Sequence, residues 1–188
     1  MNRLLSGQCL LILCCAFYLI WWYRGFRPGT TVDRVGGVNG ALLLVTAILG
    51  LAGLVLSLLP VSDAAARLRI SPSFIIFGGI TVYILLLLVT RYAFHRIVTS
   101  ELFLIVGWTM LEVAVINWLN GAKYLTGYRL AVMLIILAAA FVISIIFYVA
   151  YYRMEEMKAF YAAMLPLVTE AAAMAVLVGL LMTTGKQA

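Results

Sequence analysis

RLAVMLIILAAAFVISIIFYVAY, residues 129–151, decides the fold: beyond Arg129 it runs 22 residues without a charge, with Ser144 its only small polar residue. At 1.5 Å per residue a helix of that length reaches roughly 33 Å, enough to cross a hydrocarbon core of ~30 Å. Five further apolar runs of roughly 20 residues, at 8–23, 39–60, 73–92, 100–120 and 160–182, repeat the pattern. The expectation is an all-α, polytopic integral membrane helix bundle of about six transmembrane helices, a single transmembrane domain spanning residues 1–188. Very little chain is left for anything else, so the chemistry must lie inside the bilayer, in short loops or with another subunit.

Composition agrees. Hydrophobic residues make up 66% and charged residues 11% of the chain, with a mean hydropathy of +1.14, whereas soluble domains carry about a quarter charged residues. The formal net charge is +6. No run of Lys and Arg is long enough to suggest a nucleic-acid surface, so the basicity reads as anchoring to anionic headgroups, and the expected partners are the lipid bilayer and either a second copy or a membrane partner subunit. The expected location is a multi-pass cell (plasma) membrane. Cys9, Cys14 and Cys15 all fall in the first run with no cysteine elsewhere to pair across the fold, which argues against a structural disulfide. That run is expected to be a retained span, because no small-x-small cleavage site precedes Trp21-Trp22-Tyr23-Arg24.

Breakers separate the runs: Arg27-Pro28-Gly29 and Gly36-Gly37, then Pro60 and Ser71-Pro72, then Gly121 and Gly127. Pro72 suits the first turn of a helix, where its missing N–H costs nothing. Pro166 lies inside the sixth run and is expected to kink it or free a carbonyl near the membrane interior. Small residues four apart (Gly53 and Ser57; Ala140 and Ser144; Ala171, Ala175 and Gly179) predict close helix contacts, which matter where lipid removes the hydrophobic drive between helices. The echo of Ile20-Trp21-Trp22-Tyr23-Arg24-Gly25 in Ile116-Asn117-Trp118-Leu119-Asn120-Gly121 is compatible with a 3+3 inverted repeat.

Orientation is nearly balanced. The side of the chain ends carries six basic residues, Arg3, Arg67, Arg69, Lys123, Arg129 and Lys186, against seven opposite, Arg24, Arg27, Arg34, Arg91, Arg96, Arg153 and Lys158. Weighting the first helix leans towards the Arg24, Arg27 and Arg34 side as cytoplasmic; insertion in both orientations fits the same count. Most aromatic residues near span ends, including Trp21, Trp22, Tyr23, Tyr151 and Tyr152, gather on the side opposite the chain ends, as an interfacial belt does.

Chemistry is expected first at Glu112. It sits mid-span in Trp108-Thr109-Met110-Leu111-Glu112-Val113-Ala114, where a charge costs ~2.5–3.5 kcal/mol on insertion scales. Helical spacing groups it with Thr109, Ile116 and Asn120, flanked by Trp108, while Asn117 lies well round the helix. Glu170, four residues beyond Pro166 and next to Thr169, is the second candidate. An intramembrane carboxyl can take up or release a proton as a ligand or cation arrives, so two acids facing one cavity would make a cation or amine site; the alternative is a carboxyl that only pins helix packing. Arg91, His95 and Arg96, with Glu101 just after, suggest an anion or lipid-headgroup site or ordinary snorkelling, with salt bridges to Glu101, Glu155 or Glu156 conceivable.

Motifs for enzymes are missing: there is no G-x-S-x-G, H-E-x-x-H or C-x-x-C, and Asp33 and Asp63 are isolated. His95 is the single histidine, which excludes a bis-histidine haem within one chain. No metal or cofactor is expected. The function expected is a non-enzymatic small membrane transport protein that binds a small solute or cation between helices, with Glu112, Asn120, Glu170, Thr109 and Asn117 along its pathway. The alternatives are a non-catalytic subunit or sensor working through helix contacts and, third, an intramembrane enzyme without a recognised motif.

Overall fold

The computed structural model describes residues 2–63, 70–93, 95 and 100–184. Six helices follow one another: α1 Asn2–Phe26, α2 Gly37–Asp63, α3 Pro72–Leu88, α4 Ser100–Gly121, α5 Gly127–Tyr151 and α6 Glu156–Thr184. Beyond Leu88, α3 continues as one wider π-helical turn, Val89–Ala93. All six are long and apolar enough to cross a membrane, and the protein is a multi-pass integral membrane protein. Five of the expected runs each lie inside one helix that exceeds the run at one or both ends, and the third, 73–92, covers most of α3 and ends in the π-helical turn.

Two prolines lie inside helices. Pro60 was expected to mark the end of the second run, yet α2 continues through it to Asp63. α6 likewise continues through Pro166, whose ring removes the N–H that would otherwise bond the carbonyl of Ala162, one turn earlier. Pro72 does open α3, as its fixed φ favours.

Packing is uneven around the bundle. α1 packs most extensively on α2, α5 packs on α6, and α1 also meets α6, while α4 crosses the middle and touches α2, α3, α5 and α6. α3 leans on α4 and has no buried residue along Pro72–Leu88. An inverted 3+3 repeat would pair α2 with α3 as α5 pairs with α6, but α2 and α3 make no comparable contact among the described residues.

The α1–α2 seam is held by missing side chains. An added Cβ at Gly7 would lie 2.6 Å from Ser57 Oγ and 2.7 Å from Ser57 N, and one at Gly53 would lie 2.8 Å from Leu11 Cγ. The expected Gly53 and Ser57 stripe therefore works as close-approach surface, which supplies the van der Waals contact that holds helices in lipid. Ala175 and Gly179 of α6 are exposed instead, and nothing lies within 4 Å of where a Gly179 Cβ would be.

The α1–α2 loop folds back on the helix ends. Arg24 Nε donates to Asn39 Oδ1 at 3.1 Å, Asn39 Nδ2 donates to the Asp33 carbonyl at 2.6 Å, and Arg34 Nε donates to the Gly25 carbonyl at 3.2 Å. The Arg34 guanidinium lies 4.4 Å from the Phe26 ring centre. Backbone N–H groups of Val35 and Gly36 hold the Asp33 carboxyl below the usual carboxylate range. The cations on this side are thus partly spent on ordering their own loop. At the other side of the membrane, Leu4, Leu119, Leu125, Leu177 and Leu181 form a buried apolar cluster.

Candidate cation site between α1, α4 and α6

Bonded geometry on α1 places Gln8, Leu11, Cys15, Tyr18 and Trp22 on one face by their alternating spacing of three and four residues. The same spacing on α4 groups Glu101, Ile105, Trp108, Glu112, Val115 and Leu119. Where these faces meet α6, a cavity of about 30 Å³ is lined by Tyr18 and Trp22 of α1, Glu101 and Trp108 of α4, and Pro166 and Glu170 of α6, among others. That is room for about one water molecule.

Glu170 is 1% exposed. Its Oε1 receives a long contact of 3.4 Å from Ser144 Oγ, which also lies 3.5 Å from the Pro166 carbonyl; a hydroxyl has one proton to give, so at most one of these is a bond at a time. Its other oxygen, Oε2, has no hydrogen-bond partner. The indole N–H groups of Trp22 and Trp108, on the same cavity wall, are also unpartnered. The side chains that carry these orphaned atoms thus line one water-sized space. Each such buried group costs about 1–3 kcal/mol when left unsatisfied.

Glu112 is 2% exposed and Gln8 fully buried. Gln8 of α1 lies beside Glu112 of α4, and α4 also packs on α6, the helix that carries Glu170. The approach is not a well-formed hydrogen bond: both polar atoms of Gln8 and Oε1 of Glu112 lack a partner. Glu112 is not in the wall of the 30 Å³ cavity. Glu101 and Glu112 are separated by about 16 Å along α4 at 1.5 Å per residue, and of the two only Glu101 shares the cavity with Glu170.

Two further cavities adjoin this one. On the loop side, a space of about 580 Å³ lined by Trp22, Phe26, Pro28, Tyr151, Tyr152, Glu156 and Phe160, with others, shares Trp22 with it. Towards α2, an apolar cavity of about 430 Å³ shares Tyr18, Leu104, Trp108 and Leu167. The aromatic residues expected as an interfacial belt thus also line the loop-side space.

Among the other expected pathway residues, Asn117 is spent on structure: its Oδ1 accepts from Ile70 N at 3.2 Å and its Nδ2 donates to Ile70 O at 2.9 Å, pinning the chain before α3. Thr109 gives its hydroxyl to the Ile105 carbonyl at 2.9 Å and lines a different cavity, between α3, α4 and α5. Trp108, not Thr109, shares the space on the Glu170 side. Asn120 lies half-buried in the last turn of α4, about 12 Å along the helix from Glu112. Arg91 and His95 are exposed at the end of α3, His95 at φ +51°, and Arg96 lies outside the described residues. Glu155 pairs with Lys158 at 3.4 Å on the surface.

Sequence reading passed over Gln8, Tyr18, Trp22 and Glu101 as site residues. Gln8 and Glu101 stood at the edges of apolar runs, where polar residues are ordinary. The available signal was their three-and-four spacing with buried positions further along the same helices. In comparisons with protein-family models, with curated proteins and with solved structures, nothing matches the chain.

Proposed function

We propose that the protein is a small membrane transport protein that binds a cation between α1, α4 and α6, with Glu170 as the group that meets it and Glu112 as a second, deeper carboxyl that holds or yields a proton. The observation that carries this reading is the unpartnered Glu170 Oε2, almost wholly buried yet set in the wall of a cavity. Intramembrane acids are expensive and rare, and those kept facing a bundle interior mark ion and proton paths. A cation at Glu170 would neutralise its charge and change the electrostatic cost of charging Glu112, which is the elementary step of exchange between a cation and a proton. The loop-side space supplies an approach past Trp22, and the leucine cluster of α1, α4 and α6 closes the opposite end. The reading is of a binding and transport protein, not of an enzyme.

The test is proteoliposomes loaded with a pH-sensitive dye and pulsed with tetraethylammonium, a permanently charged probe that carries no proton of its own. Wild-type protein should change the internal pH with the cation gradient, and Glu112→Gln should reduce that change at least tenfold while still inserting and folding. An unchanged response in Glu112→Gln would remove that residue from the mechanism.

A second reading, a subunit that works through helix contacts, draws support from α3, which has no buried residue along Pro72–Leu88, and from Ala175 and Gly179, exposed at close-packing spacing on α6. Purification in mild detergent separates the two: a stoichiometric partner favours the subunit, and a lone protein stabilised by cations favours transport.

A further inference from the structure

We infer that the cation taken by this site carries an apolar group, and that the cavity between α1, α2 and α4 receives that group while Glu170 receives the charge. The inference rests on the cation-binding reading above and specifies its substrate class.

Three observations lead to it. The 30 Å³ cavity at Glu170 holds about one water and cannot contain an organic molecule by itself. Its neighbour, about 430 Å³, falls in the range of small-molecule sites, and the two have Tyr18, Leu104, Trp108 and Leu167 in common among their lining residues. The larger cavity offers a ligand almost nothing to bond. The Thr46 hydroxyl already donates to the Leu42 carbonyl at 2.8 Å, and the Thr46 carbonyl receives the Cys14 thiol at 3.3 Å. The remainder of the wall is chiefly Leu, Ala, Gly, Phe and Trp. A small hydrated ion would gain nothing there, whereas a hydrocarbon or aryl group would fill it.

Shape and charge then assign each part of the ligand. The unpartnered Glu170 Oε2, 1% exposed, supplies the countercharge at one end. Tyr18 and Trp108, which line both cavities, present aromatic rings at the position where a cationic head passes into an apolar body, and ring faces attract such heads by about 0.5–2 kcal/mol. A compact inorganic cation would use only the carboxyl. A quaternary ammonium or phosphonium bearing bulky apolar arms would use the carboxyl, the rings and the cavity together.

The experiment measures binding to the purified full chain in detergent, by tryptophan fluorescence, across a graded series: tetramethylammonium, tetraethylammonium, tetrabutylammonium and tetraphenylphosphonium. Affinity should rise at least tenfold from the smallest to the largest. Glu170→Gln should weaken every member at least tenfold. Gly107→Phe places a ring in the larger cavity from a position where an added Cβ meets nothing within 4 Å; it should weaken tetrabutylammonium and tetraphenylphosphonium at least fivefold and leave tetramethylammonium unchanged. Should Glu170→Gln fail to fold, the Gly107→Phe arm still decides. Equal affinity across the series, with no effect of Gly107→Phe, would overturn the apolar-group inference and leave the cation reading standing. Failure of wild-type protein to bind any of the four would overturn the apolar-group inference, and the cation reading falls as well if sodium and potassium gradients leave the internal pH of the proteoliposomes unchanged.

Discussion

On the face of α1 turned towards α2, Gly7 sits where a single added carbon would lie 2.6 Å from Ser57 Oγ, and Gly53 answers it from the other helix with no room to spare. Towards α4 and α6 the same helix presents Gln8, Tyr18 and Trp22, and there the protein leaves a one-water cavity and orphaned atoms on Gln8 and Trp22 as well as on Glu112 and Glu170, whereas the α2 seam buries the single Ser57 hydroxyl unpartnered. Lipid tails are as apolar as leucine, so close packing is what holds membrane helices together. A seam that gives up packing and also buries unpartnered carboxyl and amide groups loses stability on both counts. One face of α1 serves cohesion, and the other retains features that cohesion alone would remove.

Substitutions can break this contrast, and the largest effect belongs to the cohesive face. Gly7→Leu must push α1 off the Ser57 backbone nitrogen, which cannot rotate away; a loss of about 3 kcal/mol or more is expected, read as lower resistance to denaturing detergent. Were it tolerated without loss, the tight seam would not be the anchor described here. Next in size is the polar face, where Glu170→Gln keeps the shape, should leave stability within about 1 kcal/mol, and should cost at least tenfold in cation affinity. A large loss of folding with unchanged binding would make Glu170 a packing device.

A smaller effect separates Asn117 from the site it was expected to join. Asn117→Ala removes both bonds to Ile70 and should cost about 1–2 kcal/mol, with cation affinity unchanged. The smallest effect is expected on α3. Gly78→Leu enters open space and should move stability by less than about 0.5 kcal/mol. A larger loss would show that α3 has a partner in the membrane.

The six helices were legible because hydropathy over 20 residues is a strong and local signal, and Glu112 and Glu170 were legible because charge in such a run stands out by itself. Their neighbours were not. Thr109 and Trp108 flank the Glu112 face on opposite sides, so a helical wheel cannot choose between them; the choice depends on where α1 and α6 lie. Asn117 looked like a pathway residue until its partner, the Ile70 backbone 47 positions away, came into view. Pro60 read as a stop because propensity disfavours it within helices, yet it is accommodated near the end of α2. Gln8 and Glu101 stood at the start of their apolar runs, and Glu101 was read only as a salt-bridge partner for the basic residues before it.

A double-mutant cycle on tetraethylammonium affinity, with wild type, Glu112→Gln, Glu170→Gln and the pair compared in the same detergent, decides whether Glu170 and Glu112 act as one unit. If the two carboxyls share a site, the double variant should bind no worse than the weaker single one, leaving a coupling well above about 0.5 kcal/mol. Losses that simply add would mean that the two acids work apart and that no shared cation–proton site joins them.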